Sequence, residues 1–225
     1  MKVRALHSWP ETPQEAEAVQ DRLRPLLDLD GPGPAEIETV AGLDVSYQEG
    51  TDRLAAAVVV LDAATLRQVE ESVVIGTATF PYVPGLFAFR ELPALVEALE
   101  RLTVVPDLLV CDGHGLAHPR RFGLACHLGV LTGLPSLGVG KTRLVGEYLP
   151  PARARGSVSD LVDGGEVIGR VLRTQDGVRP VFVSAGHRID LDTACRHVLA
   201  LSPRYRLPET TRRADRLSRR ALAAE

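Results

Sequence analysis

The segment Leu108 to Arg121, LLVCDGHGLAHPRR, brings an acidic residue out of an apolar run and into a glycine-rich loop. The apolar run predicts a short strand buried on both faces of a sheet, and Asp112 ends that strand. Gly113, directly after it, has no side chain to block the approach of a phosphate or a base. Asp112 therefore fits a catalytic carboxylate, although a carboxylate that only caps a helix beginning near Arg120 fits this segment equally well.

Two histidines, His114 and His118, follow Asp112 at H-x-x-x-H spacing. On a helix this spacing would favour a zinc site. The neighbouring glycines and Pro119 make a helix unfavourable here, so the pattern argues against zinc.

Three other acidic residues stand in segments that could join Asp112. Asp44 lies within the apolar stretch AGLDVSY, Glu91 begins a helical stretch after the loop FPYVPG, and Asp215 lies in the basic C-terminal stretch. Carboxylates from four separate elements are typical of metal-assisted phosphodiester hydrolysis. Two alternatives stay open, because the helix dipole favours Glu91 at a helix N-terminus anyway and Asp215 could form only a surface ion pair with a nearby arginine.

Lys141 lies in the sequence GVGKT at residues 138–142. A phosphate-binding P-loop would require glycine where Pro135 stands, so the motif is a weak indication of nucleotide binding. The chain has only two lysines, Lys2 and Lys141, among many arginines. Lys141 could therefore have a task that suits a compact ammonium group, or its identity could be an accident of composition.

Arginines are concentrated near the C-terminus. Residues 204–220 contain seven arginines against only Glu209 and Asp215, although the formal net charge of the chain is −3. Such a cluster can follow the phosphates of a nucleic acid. A solvated helix face is the more common interpretation of a charge run.

The elements that must position these residues follow an α/β order. A helix with a capping box over residues 12–27 precedes strand-like segments at 37–47, 54–62 and 66–79, whose short turns predict antiparallel pairing. A helix over 88–102, the strand ending at Asp112, a helix over 120–131 and a strand over 136–139 then predict parallel pairing. A hairpin over 166–173 and 180–186 and helices over 191–201 and 208–222 follow.

This order is that of the ribonuclease H-like fold, an α/β fold with a mixed central sheet and flanking helices. We expect residues 1–225 to form one domain. In this fold the first strand neighbours the strand that ends in Asp112, which would bring Asp44 and Asp112 together. Unit charges ~4 Å apart repel by about 4 kcal/mol at an effective dielectric of about 20, so the pair calls for a divalent cation. Oxygen ligands favour Mg²⁺ or Mn²⁺ over zinc.

The composition is that of an ordinary globular protein, with 45% hydrophobic and 24% charged residues. The longest apolar run is too short to cross a membrane, and the N-terminus lacks the apolar core of a signal peptide. We therefore expect a cytoplasmic protein without membrane contact. Its three cysteines, Cys111, Cys126 and Cys195, lie in apolar contexts and are expected to be buried free thiols.

At the level of motifs the chain resembles the endonuclease V family. The resemblance is carried by AGLDVSY, FPYVPGLFAFRE, DGHGLAHPRRFGLACHLG, GVGKTRL and TRRAD, in the order and spacing of that family over essentially the whole chain. It implies a monomeric Mg²⁺-dependent endonuclease, in which Mn²⁺ can substitute, that recognises deoxyinosine in DNA. Cleavage would fall at the second phosphodiester bond 3′ to the lesion and leave a 3′-hydroxyl and a 5′-phosphate. The alternatives are a nuclease acting mainly on inosine in RNA or on branched DNA, and a nucleic-acid-binding module without catalysis.

The resemblance also implies roles for individual residues. Asp44, Asp112 and Glu91 would hold the metal, while His118, Lys141 and Asp215 would assist catalysis or contact phosphate. The proline-stiffened loop with Tyr82 would enter the duplex as a wedge beside the lesion. The expected lining of the pocket for the flipped base consists of Pro84, Gly85, Phe87, Gly113, Leu124 and Leu144.

Overall fold

The computed structural model describes residues 1–224, and its centre is an eight-stranded mixed sheet covered by helices on both faces. The strands are β1 (Thr39–Tyr47), β2 (Arg53–Asp62), β3 (Gln68–Thr77), β4 (Leu108–Asp112), β5 (Ser136–Gly140), β6 (Val158–Asp163), β7 (Glu166–Leu172) and β8 (Val181–His187). The helices are α1 (Pro13–Leu23), continued by a 3₁₀ turn (Arg24–Leu26), α2 (Ala88–Glu100), α3 (Leu124–Thr132), α4 (Leu191–Ala200) and α5 (Glu209–Ala223).

The strand order is β3-β2-β1-β4-β5-β8-β7-β6. The first three strands form the predicted antiparallel meander, and β1, β4 and β5 run parallel. The predicted hairpin of β7 and β8 is also antiparallel. This arrangement confirms the ribonuclease H-like fold and the neighbouring positions of β1 and β4, in which Leu43 lies opposite Cys111.

Two apolar cores hold the sheet between its helices. Because side chains alternate along a strand, Ala41 and Leu43 of β1 pack toward α2 and α3, whereas Val40 joins the core under α4 and α5. Leu92 and Leu95 of α2 are fully buried in the first core. Truncating either of them to alanine would cost about 2 to 5 kcal/mol of folding free energy.

Several element boundaries differ from the sequence-based expectation. Strand β6 was not predicted, because as the outermost strand it is half-exposed and its apolar residues do not alternate cleanly. Helix α3 begins at Leu124 instead of residue 120, since Arg121 has a left-handed φ of 53° and cannot lie in a helix. Strand β3 begins at Gln68 because Leu66, with a φ of 57°, still belongs to the preceding turn.

Helix α5 lies directly across β1. At Gly42 the two elements approach so closely that a Cβ atom would stand 2.3 Å from the carbonyl oxygen of Thr210. Only glycine leaves room for this contact, which fixes α5 beside the end of β1 that carries Asp44. Within residues 1–224, none of the helices combines the length and apolar character needed to cross a membrane.

Candidate active site

Asp44 and Asp112 meet at the same edge of the sheet. The parallel register of β1 and β4 pairs Leu43 with Cys111, so the residue that follows each of them reaches the same level. The two carboxyl groups are within hydrogen-bonding reach, and Asp44 is only 8% exposed. Burial, followed by the hydrogen bond and charge of Asp112, raises the pKa of Asp44 to about 8. The charged form of Asp44 is therefore disfavoured at this position.

Glu91 adds a third acidic side chain from the first turn of α2. It is buried, and its pKa is raised well above its usual range by desolvation first and then by the charges of Asp44 and Asp112. The predicted grouping of these three residues is thus present in the structure. Like-charged groups placed together in a poorly solvated position are stable only with protons or with a compensating cation.

Lys141 supplies one such positive charge. It follows β5, and its ammonium Nζ donates to Oδ2 of Asp112. Burial alone would lower the pKa of Lys141, but the hydrogen bond and charge of Asp112 outweigh it and raise that pKa. Lys141 therefore stays charged and lies against Asp112, while its predicted role in catalysis or phosphate contact stays a prediction.

Asp215 and Lys141 line the same opening. With Asp112 they border a cleft of about 490 Å³, which we call the carboxylate cleft. The Asp215 carboxylate accepts a hydrogen bond from Nε of Arg219 at 2.9 Å. Asp215 thus lies beside the acidic cluster and also forms the surface pair that the sequence left open.

Ser218 is a further residue of this cluster that sequence reasoning missed. Its hydroxyl donates to Oδ2 of Asp44 at 3.1 Å and lies 2.7 Å from the hydroxyl of Ser46. Both serines are small and common residue types, and only the three-residue spacing from Asp215 on a helix could have indicated Ser218.

The acidic cluster fits a divalent cation by the chemistry of its donors. Among residues 1–224 no group of three His, Cys, Asp or Glu side chains is already arranged around a metal position. However, the carboxyl groups are oxygen donors, and the pKa shifts of Asp44 and Glu91 show that their negative charge is poorly compensated. A cation would remove this cost by replacing the protons.

A cavity of about 250 Å³ adjoins the cluster beneath the loop of residues 80–87. All seven side chains or glycines predicted to contact the substrate line it: Tyr82, Pro84, Gly85, Phe87, Gly113, Leu124 and Leu144. Glu91 and Asp112 also line it, so the cavity and the acidic cluster share a wall. Three lining residues, Ala88, His114 and Gly123, were not predicted as substrate contacts.

The loop above the cavity is held at its base and exposed at its tip. Nη1 of Arg90 donates to the carbonyl oxygen of Phe80 at 2.8 Å, whereas the Tyr82 ring is 71% exposed and rests edge-on against Phe87. Gly85 has a left-handed φ of 81°, which a residue without a side chain adopts at little cost. Its carbonyl oxygen accepts hydrogen bonds from Gln20 and His118.

Both ring nitrogens of His118 form hydrogen bonds at the wall of the cavity. Nε2 lies 2.8 Å from the Gly85 carbonyl oxygen, and Nδ1 accepts from the Arg120 amide at 3.1 Å. Burial lowers the pKa of His118 to about 4, so the ring is neutral at pH 7. His114 has a separate partner, the Thr142 carbonyl oxygen.

The loop between β4 and α3 is fastened at Arg121. The guanidinium group of Arg121 contacts Asp163 at 2.8 Å and Glu166 at 2.7 Å. These two acidic residues flank the turn between β6 and β7. The loop that carries Gly113 and His118 is therefore tied to the outer edge of the sheet.

Comparison with known proteins identifies the relatives of this arrangement. The family model of endonuclease V matches residues 21–216. Endonuclease V of Streptomyces avermitilis is 58% identical over 221 residues, which are 98% of this chain and 96% of the relative. A crystal structure of endonuclease V from the same organism superposes with a TM-score of 0.93 at 57% identity and covers 100% of this chain and 99% of that one.

A more distant structural relative contains nucleic acid. It is endonuclease V of Ciona intestinalis in complex with a 24mer DNA containing an inosine followed by a ribo-adenosine. It superposes with a TM-score of 0.81 at 26% identity and covers 94% of this chain and 98% of that one.

Proposed function

The chain belongs to the endonuclease V family of nucleases, and from this premise we propose that it is a Mg²⁺-dependent DNA repair endonuclease specific for deoxyinosine. It hydrolyses the second phosphodiester bond 3′ to the lesion and leaves a 3′-hydroxyl and a 5′-phosphate. Mn²⁺ can replace Mg²⁺, because both cations accept carboxylate oxygen ligands.

The observation that carries this proposal is the shared wall between the cavity and the acidic cluster. A cavity of about 250 Å³ has room for a purine base. Glu91 and Asp112 belong to both places. A base held in the cavity therefore places its own strand beside the carboxylates.

Asp44 and Asp112, assisted by Glu91, are the residues that would hold the divalent cation. When bound there, such a cation would supply charge stabilisation for phosphate oxygens and would make a bound water more acidic. Ser218 orients Asp44 by donating to Oδ2, which directs the remaining lone pairs of that carboxylate into the site. Asp215 contributes negative charge from the opposite wall of the cleft.

Lys141 contributes positive charge where phosphate arrives. Its ammonium is held by Asp112 and is half-exposed at the cleft, so it can exchange this contact for a phosphate oxygen or hold both. A compact ammonium suits this role because it has three donors without a fixed plane. A phosphate contact by His118 would require the ring to give up its bond to Gly85 or Arg120.

Recognition of the base depends on the loop of residues 80–87. The exposed Tyr82 ring can occupy the space that the flipped base leaves in the duplex and offset part of the few kcal/mol that flipping costs. Phe87, Leu124 and Leu144 form apolar walls around the base. Main-chain amides near Gly85 and Gly113 can donate to the oxygen of hypoxanthine, which adenine lacks.

Inosine in RNA is the second candidate substrate. The nucleic acid bound by the Ciona relative carries a ribonucleotide directly after the inosine, so that protein accommodates a 2′-hydroxyl at this position. A module that binds without cleaving is disfavoured by the complete acidic set of Asp44, Glu91 and Asp112.

The test uses end-labelled duplexes that contain deoxyinosine, matched undamaged duplexes and inosine-containing RNA, each with Mg²⁺ or with EDTA. We expect cleavage of the deoxyinosine strand only with Mg²⁺, at the second bond 3′ to the lesion and with a 5′-phosphate on the downstream product. Preferential cleavage of the RNA would support the second candidate. Cleavage in EDTA, or equal cleavage of undamaged DNA, would contradict the proposal.

A further inference from the structure

A second, strongly basic groove runs along the outer side of α5 toward the edge strand β3. We call it the arginine groove, and it is defined by Arg204, Arg212, Arg213, Arg216 and Arg220. Its volume is about 550 Å³, and it lies outside the acidic cluster and the base-sized cavity.

The groove keeps a positive charge after its internal ion pairs are counted. Its acidic members are Glu209, which pairs with Arg212 at 2.6 Å and with Arg213 at 3.5 Å, and Glu71, which lies 3.7 Å from Arg220. Five arginines against two carboxylates leave an excess of three positive charges. Within residues 1–224, Arg204 and Arg216 form no ion pair, so their guanidinium groups are available to an anion.

The spacing of the arginines suits a repeating anion. Arg212, Arg216 and Arg220 follow each other at intervals of four residues and so lie on one stripe of α5. Eight residues of helix extend about 12 Å at about 1.5 Å per residue. One strand of DNA carries a phosphate every ~3.4 Å of axis, so the stripe matches roughly three to four phosphates.

One guanidinium group in the groove is already positioned. Arg212 stacks over the Tyr205 ring, with its central carbon 3.6 Å from the ring centroid. Stacking holds the flat face of the guanidinium, and one of its terminal nitrogens, Nη1, donates to Glu209 at 2.6 Å. The N–H donors that Glu209 does not use point along the edge of the group, where they can meet phosphate oxygens.

The groove also adjoins the carboxylate cleft. Arg212 and Arg216 line both spaces, so they connect the groove to Asp112, Lys141 and Asp215. We propose that the arginine groove binds the sugar-phosphate backbone of the nucleic acid that flanks the cleavage point. This inference rests on the proposed function, and it adds a binding surface that recognises neither the base nor the scissile bond.

The test measures binding against salt in EDTA, where cleavage is suppressed. The variant Arg216→Gln/Arg220→Gln removes two expected phosphate contacts, so the slope of log K against log salt should become less steep by about 1.8. Between about 50 and 200 mM salt, the ratio of variant to wild-type Kd should fall about twelvefold. The change should be the same for deoxyinosine and undamaged duplexes, because phosphate contacts carry no sequence information.

The matched control is Arg101→Gln/Arg188→Gln. Both arginines are half-exposed, each pairs with one carboxylate, and neither lines the groove or the cleft. The control should keep the wild-type slope although it loses the same charge. Equal slopes for the groove variant and wild type would overturn the proposal, as would an equal loss of slope in the control.

A variant of opposite sign completes the test. Glu71→Gln removes a negative charge from the groove and releases Arg220, so it should tighten binding and steepen the salt slope. An unchanged slope would contradict the assignment of Arg220. Since undamaged DNA serves as a probe here, the groove can be tested even if the enzyme proves not to prefer deoxyinosine.

Discussion

The acidic cluster and the base-sized cavity share Glu91 and Asp112 but are opposite in character. The cluster brings carboxyl groups from β1, β4 and α2 together, and burial, followed by the hydrogen bond and charge of Asp112, raises the pKa of Asp44 to about 8. The cavity is enclosed by the loop of residues 80–87 and apolar side chains of the neighbouring segments. If hydrolysis takes place at the cluster and recognition in the cavity, as we propose, mutations on the two sides of this shared wall should separate them.

The largest expected effect comes from Asp112→Asn. It removes an anionic ligand for the cation but little of the surface that faces the base, so cleavage should fall at least about a thousandfold, or about 4 kcal/mol in the barrier. Binding to deoxyinosine DNA in EDTA should stay close to wild type. Single-turnover cleavage and gel-shift titration measure the two properties.

A suitable control for this change is Asp160→Asn. Like Asp112, Asp160 is paired with a basic side chain, in this case Arg170, but it lies on the outer strand β6. The Asp160→Asn variant should cleave normally. Near-normal cleavage by Asp112→Asn at ordinary Mg²⁺ would show that Asp112 is not a metal ligand.

Tyr82→Ala is expected to impair recognition of deoxyinosine and to leave the metal requirement unchanged. Loss of the exposed ring should reduce selectivity for deoxyinosine over undamaged DNA by about tenfold, because the flipped state loses its stacking partner. The Mg²⁺ concentration for half-maximal cleavage should not change. Tyr82→Phe should retain selectivity, since only the ring is required. If selectivity is unaffected by Tyr82→Ala at fixed salt, the ring has only a packing role against Phe87.

The raised pKa of Asp44 should also make the free energy of unfolding depend on pH. The pKa of Asp44 is about 8 in the folded protein, against an ordinary value near 4, so the folded state holds a proton that the unfolded state releases. The protonated Asp44 therefore contributes to the free energy of unfolding. This contribution is fully present below about pH 4 and is lost as pH rises through about 8. Asp44→Asn does not titrate, and its Tm advantage over wild type in EDTA should therefore grow with pH to several degrees.

Thermal unfolding at several pH values in this range, with and without Mg²⁺, measures the effect. Added Mg²⁺ should raise the Tm of wild type more than that of Asp44→Asn. Parallel Tm curves for the two proteins in EDTA would mean that Asp44 is not held in a crowded, protonated state.

The smallest effect is expected for Asp215→Asn. Asp215 borders the carboxylate cleft on α5, and its carboxylate is held by Arg219, so its loss should raise the Mg²⁺ requirement only a few-fold. If Asp215 only forms an ion pair with Arg219, the substitution costs about 0.3 to 0.5 kcal/mol of folding free energy and does not change the Mg²⁺ dependence of cleavage. Cleavage across a Mg²⁺ titration at constant ionic strength decides between these outcomes, and superimposable curves would exclude Asp215 from the site.

The sequence predicted those parts of the molecule whose signals are local. The buried strand that ends in Asp112 is a continuous apolar run, and the capping box of Thr12 and Glu15 is present as expected. The contact of Asp44 with Asp112 followed from the topology of the fold. The residues that line the cavity were predicted from family motifs, not from periodicity or charge.

The parts that could not be predicted depend on contacts between distant segments. Ser218 is a common helical residue until α5 is placed on β1, and β6 needs β7 beside it to become a strand. The arginine groove combines α5 with the edge of β3, which lie more than a hundred residues apart. In the sequence the same arginines are equally well explained as a solvated helix face.

The tie between Arg121 and the turn of β6 and β7 has a consequence for how the site opens. β6 is the outermost strand of the sheet, and outer strands generally exchange their amide hydrogens through local opening that leaves the centre folded. Arg121 joins this hairpin to the segment that carries Gly113 and His118, so the hairpin supports one side of the cavity. Fluctuations on this side of the cavity are therefore coupled to local opening of the β6–β7 edge through the ion pairs of Arg121.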